Sequence, residues 1–382
     1  MHAPVRPDLA TRTRDLRIDL VRGIANLSIF VDHIPHNAVN LLTLRNFGFS
    51  GATDLFVFVG GYAAALLYGQ MAEERGFLVT ATRILKRVWQ LYAAYIVLFV
   101  IYIDVIGQVA ARYAVPDIID EYNVTGIVDH PVRVLAHGLL LQAKPLNLDT
   151  LQLVFPLLAA FPLILAGMLR WPKLTLAASV ALYLAARQFD LYLDSFPDGR
   201  WYFNPFCWQL LFVLGAWFAL DGGRHVRALQ EVAPLRWLAL AWLLFALLIT
   251  AAGKDQQFAS TIPNVLLNPF TPNDKQNLAP YRVLHLLALA FLFTWYMPRD
   301  WQGLRAKVLQ PVIKCGDEWL ACFCAGVFLS LAGHMVLIMG PNSLFLQVLV
   351  SSTGAAVMML IAYYISWSRR QDGRKAYGAQ MQ

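Results

Sequence analysis

Three polar residues recur on one side of a largely apolar segment near the start of the sequence. Arg22, Asn26 and His33 lie within the segment Asp19–Asn37. On a helix, Arg22 and His33 share one face about 16 Å apart along the axis. Ionisable groups inside a bilayer mark functional sites by default, and histidine exchanges protons near neutral pH. The pattern predicts a polar channel with His33 as a base; the structural alternative is an Arg22 that reaches headgroups or pairs with Asp19, and a hydrogen-bonded core histidine.

Two carboxylates are candidates for the partner of His33. Asp54 lies near the start of a second apolar segment, Ser50–Tyr62, and the turn between the two segments centres near Arg45. This hairpin returns Asp54 to nearly the depth of His33, where it would accept the second ring N–H and stabilise the imidazolium. Asp32 is adjacent to His33 but points about 100° away on a helix, so it is the weaker candidate.

The composition indicates that the elements positioning these residues lie in a membrane. The chain has 382 residues, of which 58% are hydrophobic and 14% charged, whereas soluble domains have roughly 45–50% and about 25%. The sequence predicts an all-α polytopic membrane protein with about ten transmembrane helices and a short surface helix over 132–142. The predicted spans are 20–42, 50–70, 88–107, 150–169, 174–189, 205–220, 236–252, 280–297, 319–340 and 344–367.

The distribution of Lys and Arg predicts the orientation of these spans. The segments on the side of both chain ends carry 21 of the 31 basic residues, and the opposite segments carry 9. Because basic residues in short loops stay cytoplasmic, both termini are predicted to be cytoplasmic. Loosely ordered tails over 1–19 and 368–382 would flank one transmembrane domain over 20–367. The net charge of +7 then follows from topology and indicates anionic lipid, not nucleic acid, as the electrostatic partner.

Two further patterns exclude common assignments. Residues 1–20 carry four arginines and no apolar core of a signal peptide, so no cleaved leader is expected. Cys322 and Cys324 would point about 200° apart on a helix and cannot form a chelate. Together with Cys207 and Cys315 they are predicted to be small buried residues, and no metal site is expected.

Four segments in order resemble the signature of a known family. The first is Arg22, ten intervening residues and His33, followed by the pattern Gly-x-x-Asp-Leu-Phe-x-Phe-x-Gly-Gly-Tyr over residues 51–62. The other three are Phe203–Gln209, Tyr281–His285 and Cys315–His334, which lead into the sixth, eighth and ninth predicted spans. The chain from 15 to 368 thus resembles the acyltransferase-three superfamily and, within it, the OpgC family, which attaches succinyl groups to osmoregulated periplasmic glucans.

The resemblance implies acyl transfer across the bacterial inner membrane. The donor would be cytoplasmic succinyl-CoA, with acetyl-CoA as the alternative, and the acceptor would be a hydroxyl of a periplasmic glucan. The catalytic residue carries over to His33, and no metal is implied. One departure is the pair Gly60-Gly61, where the superfamily usually has Ser-Gly, so no role of a serine hydroxyl carries over. Close helix packing is the expected role of this glycine pair.

Further candidates follow from the chemistry of the substrates. Arg282, His285 and His334 lie toward the outer ends of their spans and could stabilise an oxyanion, and Arg282 is also the choice for a succinyl carboxylate. The residues predicted to contact acyl-CoA are Arg22, Asn26, Arg83, Lys86 and Arg87, and those predicted to stack on sugar rings are Trp201 and Trp208. For Arg83, Lys86 and Arg87 the structural alternative is ordinary positive-inside charge. For Trp201 and Trp208 it is an interfacial aromatic belt.

Two other functions remain open at this point. An O-acetyltransferase of another envelope polysaccharide or lipid would use the same residues. A proton-coupled secondary transporter would use His33, Asp54 and His334 as a relay, but transporters usually contain a repeat with broken helices, and the sequence has no recognisable repeat. A homo-oligomer is also left open.

Overall fold

The computed structural model describes residues 15–113, 119, 122–124, 130–143, 145–196, 198–341 and 343–380, with side chains to residue 371. Apart from two isolated bridges, the secondary structure of these residues is helical. The main helices are α1 (Leu16–Asp32), α2 (Ala52–Arg75), α3 (Phe77–Tyr113), α4 (Pro131–Leu139), α5 (Asp149–Arg170), α6 (Pro172–Gln188), α7 (Pro205–Trp217), α8 (Gly223–Gln230), α9 (Ala233–Ala252), α10 (Pro280–Tyr296), α11 (Gln310–Asp317), α12 (Trp319–Met339) and α13 (Leu344–Gln380). The short helical segments are Ala38–Leu42, Leu44–Asn46, Gln256–Ala259, Asn264–Leu267, Asn268–Phe270 and Gln302–Arg305, and a π-helical turn, Phe218–Gly222, joins α7 to α8.

Every predicted span contains a helix, and α4 confirms a short helix within 132–142, whose place at the membrane surface stays a prediction. Within the described residues, seven helices are long and apolar enough to cross a membrane. The other three predicted spans correspond to α1, α6 and α10, which have 17 residues each. At about 1.5 Å per residue these three helices are slightly shorter than a hydrocarbon core of about 30 Å. An all-α polytopic membrane protein is therefore confirmed, whereas the count of ten spans stays a prediction.

Two helix ends differ from the prediction. The first helix was expected over 20–42 but ends at Asp32, and Pro35 explains this end because proline disfavours a helical conformation in the residue before it. At the other end of the chain, α13 continues to Gln380, so residues 368–380 are helical, where a loosely ordered tail was expected. Of the N-terminal tail predicted over 1–19, residues 1–14 lie outside the described residues, and the residues from Leu16 onward belong to α1.

The described residues fall into two compact units. The first consists of Val57–Arg236 and Pro263–Leu284, and the second of Trp237–Ile262, His285–Gln382 and the described part of Thr13–Phe56. The single predicted transmembrane domain gave no indication of this division.

In the first unit, α2 and α7 pack with their backbones in contact. A Cβ atom on Gly61 would lie 1.9 Å from the carbonyl oxygen of Phe212, and one on Gly215 would lie 2.0 Å from that of Phe58. Gly61 therefore has the predicted packing role. Gly60 does not share it, because its nearest neighbour would be 3.9 Å from the added atom.

In the second unit, the same kind of contact joins α1 to α11. A Cβ atom on Gly316 would lie 1.7 Å from the carbonyl oxygen of Asp19, and one on Gly23 would lie 1.9 Å from that of Val312. The helical conformation is interrupted between α11 and α12 at Glu318, whose buried carboxylate accepts a hydrogen bond from Ser366. These contacts fix the N-terminal half of α1, where Arg22 and Asn26 lie.

Asp15 fixes the N-terminus of α1. Its carboxylate accepts from the backbone N–H of Arg17 at 3.1 Å and pairs with the guanidinium groups of Arg17 at 2.7 Å and Arg299 at 3.0 Å. Burial raises the pKa of the Asp15 carboxyl, but the hydrogen bond from Arg17 and the two positive charges outweigh burial, so the pKa lies below its ordinary value. The start of α1 thus depends on a charged carboxylate.

We expect Gly316→Ala to destabilise the protein by about 2–3 kcal/mol, because the new methyl group meets backbone atoms that cannot rotate away. Gly107→Ala is the matched control, since a Cβ atom there has no neighbour within 4 Å; it should change little or stabilise by up to about 1 kcal/mol. Thermal unfolding of the two purified variants in detergent measures both. Equal melting temperatures would contradict the close contact between α1 and α11.

We expect Asp15→Asn to remove stability at neutral pH while preserving the cap, since asparagine is also a good N-cap residue. A carboxyl whose folded pKa is lowered contributes stability above its unfolded pKa, and the contribution disappears as pH falls through the folded pKa. The difference between native and variant proteins should therefore be about 1–2 kcal/mol at pH 7 and shrink below about pH 4. Thermal unfolding across pH tests this; a difference that does not depend on pH would contradict it.

Candidate active site

The predicted site residues are divided between the two units. Seven lie in the second unit, namely Arg22, Asn26, Asp32, His33, Asp54, His285 and His334, and six lie in the first, namely Arg83, Lys86, Arg87, Trp201, Trp208 and Arg282. The ionisable groups proposed for proton transfer thus fall in a single unit.

His33 caps the C-terminal end of α1. Its backbone N–H still donates to the carbonyl of Ile29 at 3.1 Å, so the residue continues the helical register, and its side chain is half-buried. The predicted alignment of Arg22, Asn26 and His33 on one helix therefore persists up to His33. Beyond it the helix has ended, and the amide of Asn37 donates to Ser351 of α13 at 2.9 Å.

Asn26 is buried, with 2% of its surface exposed. Its amide Nδ2 donates to the carbonyl of Trp319 at 3.0 Å, beside the break between α11 and α12. Its Oδ1 is also buried and has no hydrogen-bond partner within the described residues. A buried acceptor without a donor costs about 1–3 kcal/mol, which a ligand N–H or O–H would recover.

Asp54 is fully buried in the first turn of α2. Its Oδ2 accepts from the backbone N–H of Gly51 at 2.9 Å, which is the reciprocal bond of a capping box at a helix start. Because a carboxylate accepts up to about four hydrogen bonds, this cap is compatible with a second bond to an imidazole.

Asp32 is engaged by the loop that follows α1. Its Oδ1 accepts from the hydroxyl of Thr43 at 2.6 Å and lies 3.1 Å from Nε of Arg45. This carboxylate therefore fixes the loop against the end of the helix, which gives Asp32 a structural role that the sequence did not indicate. Its assignment to catalysis stays a prediction, and Asp54 is the better candidate.

His334 is buried in α12 and has a neighbour that sequence reasoning overlooked. Its ring centroid lies 6.3 Å from that of His36, an exposed residue with a φ of 55°. A non-glycine residue in the left-handed region costs about 1–3 kcal/mol and persists only where its surroundings fix it. The proximity of His36 to His33 in the sequence was the signal that could have drawn attention to it.

The ring of His285 packs against the segment that precedes α2. Its Nδ1 lies 2.6 Å from Oγ of Ser50, and both residues are buried. Ser50 is a second residue that sequence reasoning did not select. The predicted role of His285 in substrate binding stays a prediction, although the ring already contacts protein through this nitrogen.

Arg282 is buried in the first unit, with 3% of its surface exposed, and its guanidinium donates to Oδ1 of Asn273 at 2.9 Å. This burial argues against a simple interfacial anchor. On α3, Arg83 and Lys86 are exposed and Arg87 is half-buried, which agrees both with phosphate binding and with positive-inside charge.

The two tryptophans predicted to stack on sugar rings are buried. Trp208 has no exposed surface, and its indole N–H donates to the carbonyls of Lys275 and Gln276, each at 3.1 Å. Trp201 is 7% exposed. Stacking on a glucan stays a prediction for both, and the ring of Tyr202 beside them is exposed.

The helices and the buried polar groups of α1 and α2 define a polytopic membrane protein with a candidate proton-transfer site. Residues 14–370 match the family model described as OpgC protein. The chain therefore belongs to the OpgC family, and this membership implies acyltransferase activity. Neither the curated proteins nor the solved structures gave a match. The placement in the acyltransferase-three superfamily stays a prediction.

We expect Asp54→Asn to fold with nearly native stability, because the amide oxygen can still accept from the Gly51 N–H. Asp54→Ala removes that acceptor and should cost about 1–2 kcal/mol. Thermal unfolding of both variants in detergent separates the contribution of the capping bond to stability from that of the negative charge. If both variants are equally destabilised, the charge of Asp54 matters for folding and the capping bond is not its main contribution.

Proposed function

We propose that this protein is a bacterial inner-membrane O-succinyltransferase with His33 as its catalytic base. The acyl group would come from cytoplasmic succinyl-CoA and would be transferred to hydroxyls of osmoregulated periplasmic glucans. Membership of the OpgC family supports this class of reaction. The observation that carries the assignment of the site is the polar face of α1, on which Asn26 offers a buried, unpartnered oxygen.

The position of Asn26 suits the arm of an acyl-CoA. The residue lies seven positions before His33, which is about 10 Å along the helix axis. A pantetheine arm carries amide N–H groups, and one of them would satisfy the Oδ1 of Asn26. Arg22, one helical turn earlier, supplies a positive charge on the side of the phosphates.

The chemistry assigned to His33 is general base catalysis. Its neutral imidazole takes the proton of a sugar hydroxyl while the oxygen attacks the thioester carbonyl carbon. A C–O bond forms and the C–S bond breaks, and the imidazolium returns the proton to the departing thiolate. The products are a succinyl ester and free CoA, and His33 is neutral again.

The carboxylate of Asp54 would stabilise the imidazolium form of His33 during this cycle. Its burial makes the negative charge more effective, because the surroundings of a buried carboxylate screen it less than water does. Its bond to Gly51 fixes its orientation. Asp32 is less suited because its Oδ1 already contacts Thr43 and Arg45.

The test is complementation of a strain from which the gene has been deleted, with periplasmic glucans analysed by mass spectrometry. The native gene should restore succinyl substituents. His33→Ala should lower them at least about a hundredfold, and Asp54→Asn should reduce them while the protein stays folded. His225→Ala is the matched control, since this histidine is exposed on α8 and stacks on Trp217.

Three outcomes would change the proposal. If the His33→Ala variant restores succinyl groups on the glucans to the native level, His33 is not the base. Acetyl groups in place of succinyl groups would indicate an O-acetyltransferase at the same site. A glucan profile that deletion leaves unchanged would exclude periplasmic glucan as the acceptor.

A further inference from the structure

The segment that precedes α2 wraps around the ring of His285. The backbone N–H of Ser50 donates to Nδ1 of His285 at 3.3 Å, and the hydroxyl of Ser50 lies 2.6 Å from the same atom. On the other side of the ring, a Cβ atom on Gly48 would lie only 2.0 Å from Nε2. Both ring nitrogens therefore lie against residues 48–50, and only glycine fits at position 48.

The hydrogen-bond pattern defines the form of the imidazole. A backbone N–H can only donate, so Nδ1 must be the acceptor. Nδ1 then also accepts from the Ser50 hydroxyl, and the ring proton belongs on Nε2. A proton on Nδ1 would break the bond from the Ser50 backbone N–H and reverse the bond with the hydroxyl, so the observed pattern places the acceptor at Nδ1.

Phe49 holds the same segment from a second direction. Its ring lies edge-on to His285, with centroids 6.0 Å apart, and contacts Trp242 of α9 at 5.7 Å. The ring contacts of Phe49 and the two hydrogen bonds between Ser50 and His285 thus restrict the backbone immediately before α2.

The backbone fixed in this way carries the carboxylate of the proposed site. Gly51 directly follows Ser50, and its N–H donates to Oδ2 of Asp54 at 2.9 Å. A shift of Ser50 would therefore move the donor that orients Asp54. Displacements of about 1 Å at a reacting group reduce rates strongly, which makes such a support functionally important.

Resting on the proposed function, we propose that His285 is a positioning residue: through Ser50 and Gly51 it fixes the orientation of Asp54 and does not itself contact substrate. This role differs from the oxyanion contact predicted from sequence. A donor to an oxyanion at Nε2 would be kept in His285→Gln and lost in His285→Asn, whereas the positioning role predicts the reverse. A positioning residue affects kcat, whereas a residue that binds substrate equally in ground and transition states affects KM.

Two substitutions of His285 each keep a polar atom near the position of one ring nitrogen and remove the other. His285→Asn places an amide oxygen where Nδ1 was, so it can still accept from Ser50. His285→Gln extends toward the position of Nε2 and removes that acceptor. Ser50→Ala removes the hydroxyl from the other side. His225→Asn and His225→Gln are matched controls on an exposed histidine.

Succinyl transfer by purified full-length protein in lipid vesicles should distinguish these variants. We expect His285→Gln and Ser50→Ala each to lower kcat about tenfold with KM within about twofold. Combining them should cost no more than His285→Gln alone, because that variant already removes the acceptor of both Ser50 bonds. His285→Asn should stay within about threefold of native. Equal losses in the Asn and Gln variants, or a raised KM with native kcat, would overturn the proposal.

A second readout does not depend on acyl transfer. Hydrogen exchange of the peptide covering residues 48–54 should be faster in His285→Gln than in native protein or His285→Asn, because the Ser50 amide loses its acceptor and the Gly51 amide is no longer held in place against Asp54. Unchanged exchange in His285→Gln would overturn the positioning role. An inactive native protein with this exchange pattern would instead refute the proposed function and leave the positioning contact standing.

Discussion

The close contact between α1 and α11 is the constraint on which the proposed site depends. Gly23 and Gly316 allow the two backbones to meet, and a single methyl group on either residue would collide with a carbonyl oxygen. This proximity covers a helix that carries Arg22 and Asn26 and that lipid would otherwise have to surround. In a bilayer, where water does not drive helices together, small residues at a contact make such packing favourable.

The C-terminal end of α1 depends on the loop that follows it. Asp32 binds Arg45, Asn37 binds Ser351, and the backbone N–H of Ala38 donates to Gln347 at 2.8 Å. His33 therefore lies at a helix end whose surrounding chain is fixed on several sides. A proton-transfer group gains from such an arrangement because its orientation is set before substrate arrives.

The composition and the periodicity of the sequence determined the class of protein. Spans of apolar residues predicted helices that the structure contains, because a backbone in lipid must satisfy its hydrogen bonds internally. The same logic singled out Arg22, His33 and Asp54, since ionisable residues in such spans are costly. The order of the motifs also indicated the OpgC family, which the match over residues 14–370 confirms.

Only the tertiary structure decided which polar groups meet. The contact of Asp32 with Arg45, the closeness of His36 to His334 and the contact of residues 48–50 with His285 all involve segments that are far apart in sequence or irregular in backbone, which give no periodic signal. Helix periodicity reports one face of one element at a time. Contacts between elements depend on loops and glycine-sized gaps, and these emerge only when the helices pack together.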